Sequence, residues 1–166
     1  MIIKELRYLN ALIILEMEHM AKVIGFSEGT YIAMHCMALV ALSRGKHLSI
    51  REMAEKLGVS EAHLAKVILR LSRTGLLRTT RGPGGGAVLA KEPERISFLD
   101  VVEAIDGPVD GVSCVFGHEA CVYGECVFGD FLTKITEGAK DWLSAHNMAE
   151  FTAKANTAED DKESEV

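Results

Sequence analysis

The sequence predicts a mainly α-helical chain with one small β-hairpin: a winged helix-turn-helix followed by a long C-terminal dimerisation helix. Three features carry this. Two short amphipathic helices, ending near Leu57 and before Gly75, are separated by a tight turn at Gly58. Two short strand-like stretches, Leu76 to Thr80 and Gly86 to Ala90, flank a loop that is nearly all glycine. Finally, Val127 to His146 reads as one helix, with Val127, Phe128, Phe131, Leu132, Ile135, Ala139, Trp142 and Leu143 at i, i+3, i+4 spacing.

Along the chain, residues 3–24 form an amphipathic helix on the spacing of Leu6, Leu9, Ile13 and Met17. Met17 and Met20 are both natural starts for the compact domain that follows. The extension over 1–25 is therefore read either as a docking helix or as sequence upstream of the true start. Lys4, Glu5, Arg7, Glu16 and Glu18 interrupt its apolar run, which excludes a membrane span of about 18 uncharged residues. Ser27 caps a helix running to Ser43, in which Tyr31, Met34, Ala38, Val40, Ala41 and Leu42 are expected to face the core. Ser49 and Glu52 make a capping box for the next helix, which buries Ile50, Met53, Ala54 and Leu57 and ends at Gly58. Ser60 caps the second helix of the pair, with Leu64, Val67, Ile68 and Leu71 as its buried stripe.

The glycine loop partly fits a dinucleotide fingerprint, Gly82-x-Gly84-x-x-Ala87. That fingerprint must open a helix, whereas Val88-Leu89-Ala90 and then Pro93 read as a strand and a stop. As a wing tip the loop lets backbone approach phosphates, and Arg81 reaches toward the minor groove. Ser97 to Asp100 opens a short helix through Ile105, ended by Gly107-Pro108. A winged helix leaves little core for the long terminal helix to cover, so its stripe is expected to pack on a second copy. Residues 26–96 are thus read as the DNA-binding domain, 97–147 as cysteine loop and dimerisation helix, and 148–166 as a disordered acidic tail.

The formal net charge is −6, which looks wrong for a DNA-binding chain until it is divided. Residues 46–91 hold nine Lys/Arg against three Asp/Glu, while residues 92–149 hold three against eleven. A basic block inside an acidic chain is what phosphate contact needs, because binding follows the local field. Double-stranded promoter DNA and a second copy are therefore the expected partners, with no membrane.

Four cysteines without a signal peptide point to a reducing, cytoplasmic setting, where grouped thiols bind metal or do redox work. Cys114, Cys121 and Cys126 fall within 13 residues, separated by six and by four, among several glycines. Zinc prefers a closed tetrahedral set, often with cysteines paired two residues apart, and no such pair is present. Three thiolates with one different ligand suit an iron–sulfur cluster, 2Fe–2S or 4Fe–4S, whose weakly held corner can react. His118 in the loop, His35 beside Cys36 on the first core helix, Asp130, water and a partner-subunit group are all candidates for the fourth position.

The Tyr-containing first helix, IREMAEKLGVS, GLLRTTRGPGGG, the acidic short helix and the three-cysteine loop before a long helix together resemble the Rrf family of winged-helix regulators, of the iron–sulfur type represented by IscR and NsrR. The resemblance covers about residues 26–146. It implies a homodimer on promoter DNA, switched by an iron–sulfur cluster that reports cluster status, nitric oxide or redox state. Cys114, Cys121 and Cys126 take the cluster positions. Ser60, Ala62, His63, Ala65, Lys66 and Arg70 on the second helix, with Arg81, Gly82, Gly84 and Gly85 at the wing, form the implied DNA-contacting set. The sequence departs from the family in three places. The cysteine spacing is six-and-four rather than five-and-five, the position three after the last cysteine is Gly129 rather than a histidine ligand, and Ala87 stands where an aromatic often follows the triple glycine. Some relatives draw a ligand from the first helix of the other subunit, which brings His35 forward as the fourth ligand. The alternative is a metal-free regulator whose thiols react directly with oxidants. An enzyme is not expected, because no nucleophile–base pair or substrate-pocket signature is present.

Overall fold

The computed structural model describes residues 25–80, 82, 85–110, 123–124 and 127–153. The expected helix over 3–24, Arg81 and Gly84 at the wing tip, the three loop cysteines with His118, and the tail beyond 153 lie outside the described residues. Within them the order is α1 (Glu28–Leu42), α2 (Ile50–Leu57), α3 (Glu61–Arg73), β1 (Leu77–Thr80), β2 (Gly86–Leu89), a 3-10 turn (Pro93–Arg95), α4 (Phe98–Asp106) and α5 (Phe131–Ala145).

The helix boundaries follow the capping chemistry. Ser27 and Ser60 accept hydrogen bonds from the backbone of Thr30 and His63, and Ser49 with Glu52 and Ser97 with Asp100 form complete capping boxes. Gly58 ends α2 in the left-handed conformation, at φ 67°, where a side chain would be strained.

Strands β1 and β2 pair antiparallel, Leu77 opposite Leu89 and Thr80 opposite Gly86. Leu48 adds a third, one-residue rung: its amide donates to the Ala87 carbonyl at 3.3 Å, and the Ala87 amide donates back at 2.9 Å. At Gly86 the backbones approach so closely that a Cβ would overlap the Leu48 carbonyl.

One core unites the module. Ile32, Ala33, Cys36, Met37 and Val40 of α1 pack with Met53 and Ala54, with Leu64, Val67, Ile68 and Leu71 of α3, with Leu76, Leu77 and Ala87 of the wing, and with Val101 and Ile105 of α4. The α3 stripe matches the sequence reading, and on α2 Met53 and Ala54 are buried with Ile50 and Leu57 partly buried against the core, whereas the face expected for α1 is corrected. Tyr31 is exposed, and Met34, Ala38 and Leu42 are only partly buried. An almost wholly apolar helix has no phase of its own, so its rotation is set by what it packs against. Here α4 sets it through Asp106, whose carboxylate accepts from the Ser27 amide at 2.9 Å and from the buried Thr30 hydroxyl at 2.8 Å.

Two further expectations change. Helix α5 begins at Phe131 rather than Val127, because residues 127–130 form a turn with Gly129 left-handed at φ 55°. Residues 147–153 are folded and do not belong to a disordered tail. Asn147 pairs with Ser97, the Met148 amide donates to the Ile96 carbonyl at 3.0 Å, and Met148 is 1 % exposed in the core. Asn147 Oδ1 caps the turn that follows by accepting from the amides of Ala149 and Glu150.

Candidate functional site

The outward side of α3 is defined by what the other side buries. With Leu64, Val67, Ile68 and Leu71 inward, a step of 3.6 residues per turn places Ala62, Lys66, Leu69 and Arg73 along the opposite line, and all four are exposed. Ala65 is half-buried on one flank.

His63 and Arg70 fall on the other flank, facing α1 and α4. His63 Nδ1 lies 3.9 Å from a Glu28 carboxylate oxygen, and Arg70 Nη1 donates to the Ile105 carbonyl at 2.9 Å. These two, with Lys66, Val67, Ser27, Gly29 and Ile105, line a cleft of about 250 Å³. Arg70 thus fastens the recognition helix to the last turn of α4. Ser60 spends its hydroxyl on the α3 cap, and Gly82 and Gly85 form a wing turn in which the Gly85 amide donates to the Gly82 carbonyl at 2.9 Å. Of the residues expected to contact DNA, Ala62 and Lys66 therefore stand free on the outward line. Leu69 and Arg73 join them, and sequence reasoning missed both. The helical spacing from Ala62 and Lys66 already contained that signal.

Partial burial alone would raise the Asp106 carboxyl. The hydrogen bonds from Ser27 and Thr30, with the charge of Arg70, outweigh it and hold the group below its ordinary value. A depressed carboxyl stabilises the fold fully above the ordinary aspartate value of about 3.9, and that contribution is lost as pH falls through the lower folded value. Asp106→Ala is expected to destabilise the domain by about 1–2 kcal/mol near neutrality, since it strands the buried Thr30 hydroxyl. The deficit relative to the parent chain shrinks on acidification, and thermal unfolding of both chains at about pH 7 and about pH 3 measures it.

On α1 the adjacent His35 and Cys36 have opposite environments. Cys36 is fully buried, its thiol donates to the Met53 sulfur at 3.8 Å, and burial pushes its pKa up to about 12, so it is packing rather than a ligand. His35 is exposed, with Nδ1 2.7 Å from the Tyr31 carbonyl. A carbonyl only accepts, so Nδ1 carries the proton and Nε2 keeps its lone pair for solvent or a metal. No cluster of three or more potential ligands forms among the described residues.

A family model described as an iron-dependent transcriptional regulator, Rrf2, matches residues 26–154. The chain belongs to the Rrf2 family. This Rrf2 chain is 30 % identical over 125 residues to the HTH-type transcriptional regulator IscR of Erwinia tasmaniensis, covering 75 % of each chain. Among solved structures it is similar to CymR (YrzC), the global cysteine regulator of B. subtilis, with a TM-score of 0.66 and 22 % identity, covering 79 % of this chain and 98 % of that one. It is also similar to T. potens IscR, with a TM-score of 0.63 and 23 % identity over 81 % of this chain and 90 % of that one. At such identities these structures speak to the fold, and the fold is the winged helix the sequence predicts. As an Rrf2 protein the chain is a transcriptional regulator, in line with the expectation that it is not an enzyme. No helix among the described residues is long and apolar enough to cross a membrane.

Proposed function

We propose that the protein is a homodimeric regulator whose affinity for promoter DNA is switched by an iron–sulfur cluster at Cys114, Cys121 and Cys126, with His35 as the fourth ligand. The observation that carries this reading is the outward line of α3, which presents Lys66 and Arg73 from the part of the chain holding nine basic against three acidic residues. Lys66 supplies a donor for base edges or phosphate, Arg73 adds positive charge, and Arg81, Gly82, Gly84 and Gly85 extend the contact from the wing.

The donor set fits the cluster by its chemistry. Three thiols stand in one glycine-rich loop, and His35 offers an exposed Nε2 whose orientation is fixed through Nδ1. When bound, the cluster supplies a redox- and nitric-oxide-reactive iron centre. The chain's part is mechanical. The loop starts a few residues beyond Asp106, and Asp106 and Ile105 are the residues through which α4 holds α1 and α3. A change in the loop therefore pulls on the same turn that orients the recognition helix.

The second copy is supported by α5. Phe131 and Trp142 are exposed on one side of this helix, in line with half-buried Ile135, while Leu143 packs inward. Val127 and Phe128, in the turn that precedes the helix, are exposed as well. Phe131→Glu is expected to weaken self-association by about thirtyfold or more, read by sedimentation across a concentration series, with the melting temperature of the domain little changed.

Anaerobic purification with an absorption spectrum, iron and sulfide analysis and promoter binding tests the whole reading. Brown protein whose DNA affinity changes on exposure to nitric oxide or oxygen is the expected result. A chain that stays colourless after reconstitution but still shifts its affinity with oxidant would move the switch to the thiols themselves.

A further inference from the structure

Leu69 is the one large apolar side chain exposed within 46–91 among the described residues, at 51 %, and it stands in the middle of the DNA-facing line of α3. Below it on the same line, before Lys66, lies Ala62, with Ala65 beside them, so Leu69 and the two alanines give this line an apolar edge around Lys66. The residue types that read other bases are missing. Beyond Glu61 in the first turn, α3 carries no carboxylate to accept from cytosine N4, and it has no Asn or Gln to bracket adenine. His63 is turned aside toward Glu28. What remains is Lys66 and Arg73, both suited to the O6 and N7 of guanine, and an apolar strip. In the major groove the single apolar base-edge group is the C5-methyl of thymine.

Resting on the DNA-binding reading above, we propose that Ala62, Ala65 and Leu69 form a thymine-reading strip, so that each half-site is specified by thymine methyls packed against α3 next to a guanine held by Lys66. Such recognition works by removing methyl surface from water rather than by directional hydrogen bonds. It discriminates thymine from cytosine and from uracil, and its contribution persists at salt concentrations that weaken the Lys66, Arg73 and Arg81 contacts.

The test uses the full-length chain purified anaerobically and duplexes selected by it from a random-sequence library. The selected duplex is then remade with deoxyuridine replacing one thymidine at a time, which removes a single methyl group and leaves every hydrogen-bonding atom in place. At one or two positions per half-site the replacement is expected to weaken binding about three- to fivefold, the equivalent of one buried methyl. Leu69→Ala, a change at an exposed site that keeps the fold, is expected to bind the thymine duplex more weakly and to become indifferent to uracil at one of those positions. Ala62→Gly does the same at another.

Selected sites without thymine in the groove facing α3, or uracil duplexes bound as tightly as thymine ones, overturn the strip. So does a uracil effect that survives unchanged in both variants. If no sequence is enriched at all, the DNA-binding reading fails and takes this one with it, an outcome distinct from enrichment without methyl dependence.

Discussion

Gly86→Ala is expected to destabilise the domain by about 2–3 kcal/mol and to reduce promoter binding with it. The added Cβ would overlap the Leu48 carbonyl, and the nearest atoms it meets are all backbone, so no side chain can swing away. Relief requires the Leu48–Ala87 rung to open, giving up hydrogen bonds of 2.9 and 3.3 Å that fix the base of the wing against the chain entering α2. Because β2 is only four residues long, its register with β1 goes with that rung. Chemical denaturation gives the energy. Amide exchange at Ala87 and Leu48 should rise far more than exchange in α3. A variant as stable as the parent would mean that the two backbones separate at little cost.

The second large effect is expected at the cysteine loop. Cys121→Ser removes one of three thiolates in a set that has no spare nearby, since Cys36 is buried with its pKa pushed up to about 12. Iron and sulfide should fall to background, and promoter affinity should settle at the value of the cluster-free form, about 5- to 150-fold away from the loaded one. His35→Ala is the milder partner of this experiment. It should shift the absorption spectrum and make iron easier to remove, while the thermal stability of the domain stays put, because His35 is exposed and, among the described residues, its side chain bonds only to its own helix. An unchanged spectrum and iron retention in His35→Ala would sink the ligand assignment. Unchanged iron in Cys121→Ser would sink the cluster site as a whole.

How much of this was readable beforehand depends on whether the signal was local. Caps are local, so Ser27, Ser49, Ser60, Ser97 and Gly58 marked helix ends that the structure keeps. The stripes of α2 and α3 were readable because polar residues alternate with apolar ones at the helical period. Helix α1 lacks that contrast, and its rotation follows from Asp106 reaching Ser27 and Thr30 across 79 and 76 residues, a relation with no sequence signature. The same lack of phase hid the division between His35 and Cys36. One residue along a helix turns a side chain by about 100°, enough to put an imidazole in solvent and its neighbour in the core. Met148 was unreadable for a different reason: it follows a helix that seemed to end the fold, and only the pairing of Asn147 with Ser97 brings it inward. Leu69 was readable, because a buried stripe of Leu64, Val67, Ile68 and Leu71 leaves it on the opposite side, but it was not carried into the DNA-facing set.

The place of Met148 has a consequence for how the protein is made. The DNA-reading module is not a contiguous stretch that closes on itself, because the amide of residue 148 bonds to Ile96 and its side chain completes the core. During synthesis, residues 114–126 leave the ribosome before the residue that closes the module. The thiols therefore leave the ribosome ahead of a finished fold, and on the cluster-binding reading proposed above, metal loading and chain closure become competing clocks rather than successive steps.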